Sequence, residues 1–147
     1  MNISIINSQK KINVDTDTLR HCAAVTLEFL REKADMLSVY VVDDLEIRNL
    51  NYKYRYIDKP TDVLAFSMRE GRQLKGGEGI LGDVVISAET AAKQARRYKK
   101  DIKEEMCLYL AHGILHLVGY NDATSKQRKK MDKAQRLILS RINRDSK

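Results

Sequence analysis

The chain has no tryptophan, one proline (Pro60), two cysteines, three histidines and two phenylalanines among 147 residues. Two cysteines, Cys22 and Cys107, are too few for the disulfide framework of a small secreted scaffold, and they fit a reducing cytosol. No apolar run approaches the ~18 residues a membrane span needs. The first residues, Met1-Asn-Ile-Ser-Ile-Ile, carry no basic segment ahead of an apolar one, so no secretion signal is expected. There is no repeat, low-complexity tract or linker rich in proline, glycine or serine, and the expectation is one domain over residues 1–147. Neither charge sign dominates overwhelmingly. Lys plus Arg is 27 and Asp plus Glu is 20, a net +7 and a pI near 9.4. With 43% hydrophobic and 32% charged residues the composition excludes wholesale disorder. The charge excess permits an anionic partner such as nucleic acid without establishing one.

Short β-branched runs predict four strands, at Ile3–Asn7, Leu37–Val42, Thr61–Met68 and Gly82–Ser87. Helical spacing puts Leu19, Cys22, Ala23, Thr26, Phe29 and Leu30 on one face of a first helix, capped by Asp15 or Asp17. Asp43 or Asp44 opens a second helix with Ile47, Leu50, Asn51 and Tyr54 on one face, and Ser87 caps a third running to about Tyr98. Ile102–Val118 is almost uniformly apolar and predicts a central, buried helix with Gly119 at its C-terminus. A last helix starts at Thr124 or Ser125, with Met131, Ala134, Ile138 and Ile142 inward. The order β-α-β-α-β-β-α-α-α implies an α+β domain, a mixed four-stranded sheet with helices packed on it. Arg69–Gly79, with four of the seven glycines, reads as a mobile loop.

The chemistry concentrates on that central helix. His112 and His116 are four residues apart, so both imidazoles project from one face, one turn apart. This is the spacing by which a helix offers two ligands to one metal ion. Gly119 then breaks the helix and Asp122 follows, giving His-x-x-x-His-x-x-Gly-x-x-Asp. A third ligand from the turn would complete a tripod for Zn²⁺ with an open position. Two structural alternatives compete. The histidines could be hydrogen-bonded core residues, and Asp122 could cap the next helix. In zinc peptidases of the His-Glu-x-x-His type a glutamate follows the first histidine as general base. Gly113 stands there, which argues against peptide hydrolysis. His21 falls between the faces of the first helix and reads as a boundary residue.

A second region, Leu50-Asn-Tyr-Lys-Tyr-Arg-Tyr-Ile-Asp-Lys-Pro-Thr-Asp, alternates tyrosines with Lys53 and Arg55. Such a pattern can stack bases and neutralise phosphates, or it can be the solvated end of an amphipathic helix. The clusters Arg96, Arg97, Lys99, Lys100 and Lys126, Arg128, Lys129, Lys130 read as solvated faces.

Taken in order, four segments resemble the YbeY family of bacterial rRNA maturation factors. These are Leu50-Asn51 with Arg55, Pro60-Thr-Asp-Val-Leu64, Leu81-Gly-Asp-Val-Val-Ile-Ser87 and His112-Gly-Ile-Leu-His-Leu-Val-Gly-Tyr120, with Met131 also in place. The resemblance implies an α+β fold whose central helix bears metal ligands, one zinc ion per chain, and cleavage of single-stranded RNA. It implies small-subunit rRNA 3′-end maturation and ribosome quality control, with the ribosome or its small subunit as partner in the cytoplasm and no membrane role. Two departures are visible. Where the family ends its motif in Gly-Tyr-Asp-His, this chain has Gly119-Tyr120-Asn121-Asp122, so the third metal ligand becomes Asp122. Ala65 replaces a frequent serine. Arg55 is the candidate phosphate contact, because a guanidinium binds phosphate oxygens bidentately. No general base is evident, and Asp62 and Asp83 are candidates for supporting roles only. The competing reading is a non-catalytic ribosome-binding assembly factor with a weakened metal site.

Overall fold

The computed structural model describes residues 2–68 and 79–145. The expected loop at Arg69–Gly79 therefore lies outside the described residues except for Gly79. The elements follow the expected order: β1 (Asn2–Asn7), α1 (Thr16–Phe29), β2 (Met36–Val42), α2 (Asp44–Arg55), β3 (Val63–Ser67), β4 (Ile80–Ser87), α3 (Ala88–Arg97), α4 (Ile102–Leu117) and α5 (Ser125–Asp145). The caps resolve the open choices. Asp15 accepts from the N–H groups of Asp17 and Thr18, Asp43 from that of Glu46, and Ser87 from that of Thr90.

The sheet order is β1-β2-β4-β3. β1–β2 and β2–β4 are parallel, and β3 runs antiparallel to β4. Side chains alternate between the two faces of a strand, and the core divides accordingly. Val39, Val41, Val84 and Ile86 join α1, α4 and α5 in the main core, and α4 lies across β3 and β4. On the other face Val42, Leu64 and Val85 meet Ile47 of α2 in a small second core.

Gly113 explains how closely α4 approaches the sheet. A Cβ there would stand 2.7 Å from Val84 Cγ1 and 3.2 Å from Val63 Cγ2. Packing against the sheet therefore leaves no room for a glutamate beside His112. Among the described residues no helix is long and apolar enough to cross a membrane.

One contact goes beyond the sequence reading. Cys22 on α1 and Cys107 on α4 are joined by a disulfide spanning 85 residues. The two helices pack face to face, which brings the Cα atoms to 5.9 Å. Residue spacing in the sequence carries no trace of that approach. A single bridge inside an established core is still far from a disulfide framework.

Asp44, the alternative cap of α2, has another task. It accepts from Ser87 Oγ, Thr90 Oγ1 and Lys93 Nζ at 2.5, 2.6 and 2.7 Å, tying α2 to α3. Burial works against its charge, but these three donors outweigh it and hold the carboxyl below its usual range.

A candidate metal centre

The C-terminal end of α4 is built to turn. Val118 closes the helix, Gly119 adopts φ +105°, and the Tyr120 N–H donates to Leu115 O at 3.0 Å. A Cβ on Gly119 would meet nothing within 4 Å, so conformation rather than space calls for glycine here. The chain returns along α4 and delivers Asp122 to the two imidazoles. One ligand atom from each of His112, His116 and Asp122 lies within 4.8 Å of the others. Asp122 Oδ2 is 3.7 Å from His116 Nε2.

The imidazoles are aimed by their other nitrogens. His116 Nδ1 lies 3.0 Å from Tyr120 O, and His112 Nδ1 lies 3.0 Å from Gln135 Oε1 of α5. Both partners are acceptors, so each Nδ1 carries the proton and each Nε2 keeps a lone pair. The two Nε2 atoms are only 3.1 Å apart. Two facing lone pairs at that separation repel, and a cation bound by both relieves the repulsion. Burial, then the neighbouring His112, pushes the His116 imidazole below its ordinary range, while Asp122 and the Tyr120 carbonyl oppose the shift. The net effect favours the neutral, ligating form. Two imidazoles and a carboxylate are a donor set that suits Zn²⁺.

Asp122 is not the cap of α5. That task falls to Thr124, whose Oγ1 accepts from the Gln127 N–H at 3.1 Å while Gln127 Oε1 accepts from the Thr124 N–H at 3.1 Å. This reciprocal pair is a capping box. It leaves the Asp122 carboxylate, 55% exposed, directed towards His116.

Arg55 reaches the same place from α2. Its Nη2 donates to Ala65 O at 2.9 Å, and its guanidinium lies 5.4 Å from the Phe66 ring centroid. With Ser67, His116, Asn121 and Asp122 it lines a cleft of about 500 Å³. The other carboxylates singled out from the sequence lie elsewhere. Asp62 Oδ1 accepts from its neighbours Val63 N–H and Thr61 Oγ1 and shapes the entry to β3. Asp83 lines a separate groove on the α2 face, where burial pushes its carboxyl up. His21 is exposed, and both basic clusters stand in solvent. Sequence reasoning missed Gln135. Its trace was faint: one amide beside Ala134 in the inward row of α5.

The family model described as Endoribonuclease YbeY matches residues 4–143. The chain belongs to the YbeY family. It is 41% identical to the endoribonuclease YbeY of Pelotomaculum thermopropionicum over 150 residues, covering 97% of this chain and 98% of the relative. It is 43% identical to that of Aquifex aeolicus over 136 residues, covering 92% and 89%. Among solved structures it resembles the solution structure of TM1509 from Thermotoga maritima, with a TM-score of 0.66 and 25% identity, covering 96% of this chain and 89% of the other. YbeY membership agrees with the α+β fold, the four-stranded mixed sheet and the central helix expected from the sequence.

Proposed function

We propose that this chain is a zinc-dependent endoribonuclease of single-stranded RNA, acting in small-subunit rRNA 3′-end maturation and ribosome quality control. The observation that carries the reading is the convergence of His112, His116 and Asp122 in a YbeY-family fold, with His116 and Asp122 sharing a cleft with Arg55. The whole chain, 1–147, then acts as one metallo-hydrolase domain.

His112, His116 and Asp122 would hold the divalent ion, which when bound would supply Lewis acidity and acidify a water. The chain's own residues do the rest. Gln135 and the Tyr120 carbonyl hold the two imidazoles as Nδ1–H tautomers. Arg55, fixed by Ala65 O and Phe66, presents its remaining N–H donors to a phosphate. Asp122 brings a negative charge where a third imidazole would bring none, so the site holds one less positive charge than a three-histidine site. The net charge of +7 suits an RNA substrate. The small ribosomal subunit is the proposed partner and the cytoplasm the proposed location. There the Cys22–Cys107 bridge, 0% and 5% exposed, is shielded from cellular thiols.

The exposure of Asp122 favours one rival, an assembly factor that binds the ribosome without cutting RNA. Metal content after purification without added zinc, combined with cleavage of single- and double-stranded RNA, separates them. The enzyme reading expects one zinc per chain, cleavage confined to single strands, and strong loss of cleavage in Arg55→Ala with unchanged folding. Metal-free protein that stays inactive when zinc is supplied refutes it.

A further inference from the structure

Tyr56, next in the chain after the cleft-lining Arg55, is the anomaly on the surface. It follows α2 with φ 60° and ψ 27°, in the left-handed region. Its backbone is held there: its N–H donates to Tyr52 O at 3.1 Å, and the Ile57 N–H donates to Asn51 O at 3.4 Å. Asn51 Nδ2 donates to Lys59 O at 2.9 Å and fixes the loop that follows. A residue with a Cβ is strained in this conformation. Among the described residues only Arg31 and Lys99 share the condition without being glycine, and both are flexible cations. Packing does not compensate Tyr56, because its side chain is 87% exposed.

Its neighbours along the chain are of one kind. Tyr52 and Tyr54 are 60% and 53% exposed. Tyr54 meets Phe66 edge-on at 5.2 Å, and Lys53 Nζ lies 5.2 Å from the Tyr54 ring centroid. Phe66 in turn carries the Arg55 guanidinium that lines the cleft with His116 and Asp122. Lys53, Arg55 and Lys59 make the strip cationic, and its one carboxylate, Asp58, is held by Arg48 at 2.8 Å. Aromatic faces interleaved with cations fit a flexible polyanion with flat bases, and an unstacked RNA strand offers both.

We infer that the exposed tyrosines at the end of α2, Tyr56 foremost, form a base-stacking platform for single-stranded RNA next to the cleft. This rests on the RNA reading above. The strained tyrosine costs the fold stability and acts on the substrate, as strain at functional sites does elsewhere.

The two consequences have opposite signs, which makes the test sharp. Tyr56→Gly relieves the strain and removes the ring. Its melting temperature should rise by about 2–4 °C. Its affinity for a fluorescently labelled single-stranded oligoribonucleotide should fall about tenfold, the scale of one base–aromatic stack. Tyr56→Phe should bind like wild type. An oligomer of equal length with abasic sugars should bind all three proteins equally. Anisotropy titrations on zinc-loaded protein, with oligomer length verified on a gel, read this out. Unchanged affinity in Tyr56→Gly overturns the inference, as does an equal loss on the abasic strand. A lower melting temperature shows that the ring serves the fold, and also overturns it. Wild type that binds no RNA refutes the underlying RNA reading first.

Discussion

Replacing Asp122 and Thr124 separately divides ligand from cap. The geometry gives each residue one task. Thr124 closes the capping box with Gln127, and the Asp122 side chain faces His116 at 3.7 Å. Thr124→Ala should cost about 1 kcal/mol through lost capping, which lowers the melting temperature by roughly 2–4 °C in a chain of this size. It should leave zinc affinity unchanged. Asp122→Ala should barely alter the melting temperature of metal-free protein, since the carboxylate is half exposed. Its effect appears when zinc is added. At a free zinc concentration 100 times Kd, binding stabilises wild type by about 2.7 kcal/mol, roughly 5–10 °C. A tenfold loss of affinity in Asp122→Ala cuts that to about 1.4 kcal/mol, half the shift. Calorimetric melts with chelator and with buffered zinc, run on all three proteins, measure both quantities. If Asp122→Ala lowers the chelated melting temperature and keeps the full zinc shift, Asp122 is structural and the three-ligand site is wrong.

Three further outcomes follow from the same contacts. Gln135→Met keeps bulk but no acceptor for His112 Nδ1, so zinc affinity should fall about 10–100-fold with little change in the metal-free melt; equal affinity would remove Gln135 from the site. Gly113→Ala places a methyl 2.7 Å from Val84 Cγ1, and should destabilise by about 1–3 kcal/mol in denaturant unfolding. Asp44 has a folded-state pKa below its ordinary 3.8, so its protonation favours the unfolded chain. The stability gap between wild type and Asp44→Asn should be whole above pH 3.8 and shrink as pH falls below it; a gap that ignores pH would refute the Lys93–Ser87–Thr90 hub.

Much of the architecture was legible because it is written locally. β-branched runs marked the strands, and Asp15, Asp43, Ser87 and Thr124 are side chains that satisfy backbone donors within three residues. The strand limits shifted modestly, with β3 shorter and β4 starting at Ile80. Tyr54 was expected on the inward face of α2 but is more than half exposed, because only the small Val42–Leu64–Val85 patch is there to receive that helix. His112, His116 and Asp122 were legible because helix period and one glycine turn suffice to bring them together. The insertion of β2 between β1 and β4, the Cys22–Cys107 bridge and the Gln135–His112 bond were not. Each depends on how distant elements pack, 23 residues apart in the last case and 85 for the bridge.

The hydrogen bond from His112 to Gln135 makes the candidate centre the joint property of two helices, α4 and α5. α5 begins at a capping box two residues after Asp122, and its third turn supplies the amide that aims His112. A chain ending at residue 123 would retain every proposed ligand and still lack the amide that orients one of them and the cap that anchors the turn. Inheritance must therefore carry the tail together with the histidines. Frameshifts or early stops beyond the last ligand should silence the centre even where they spare the sheet, and a domain graft that borrows α4 must borrow α5 with it.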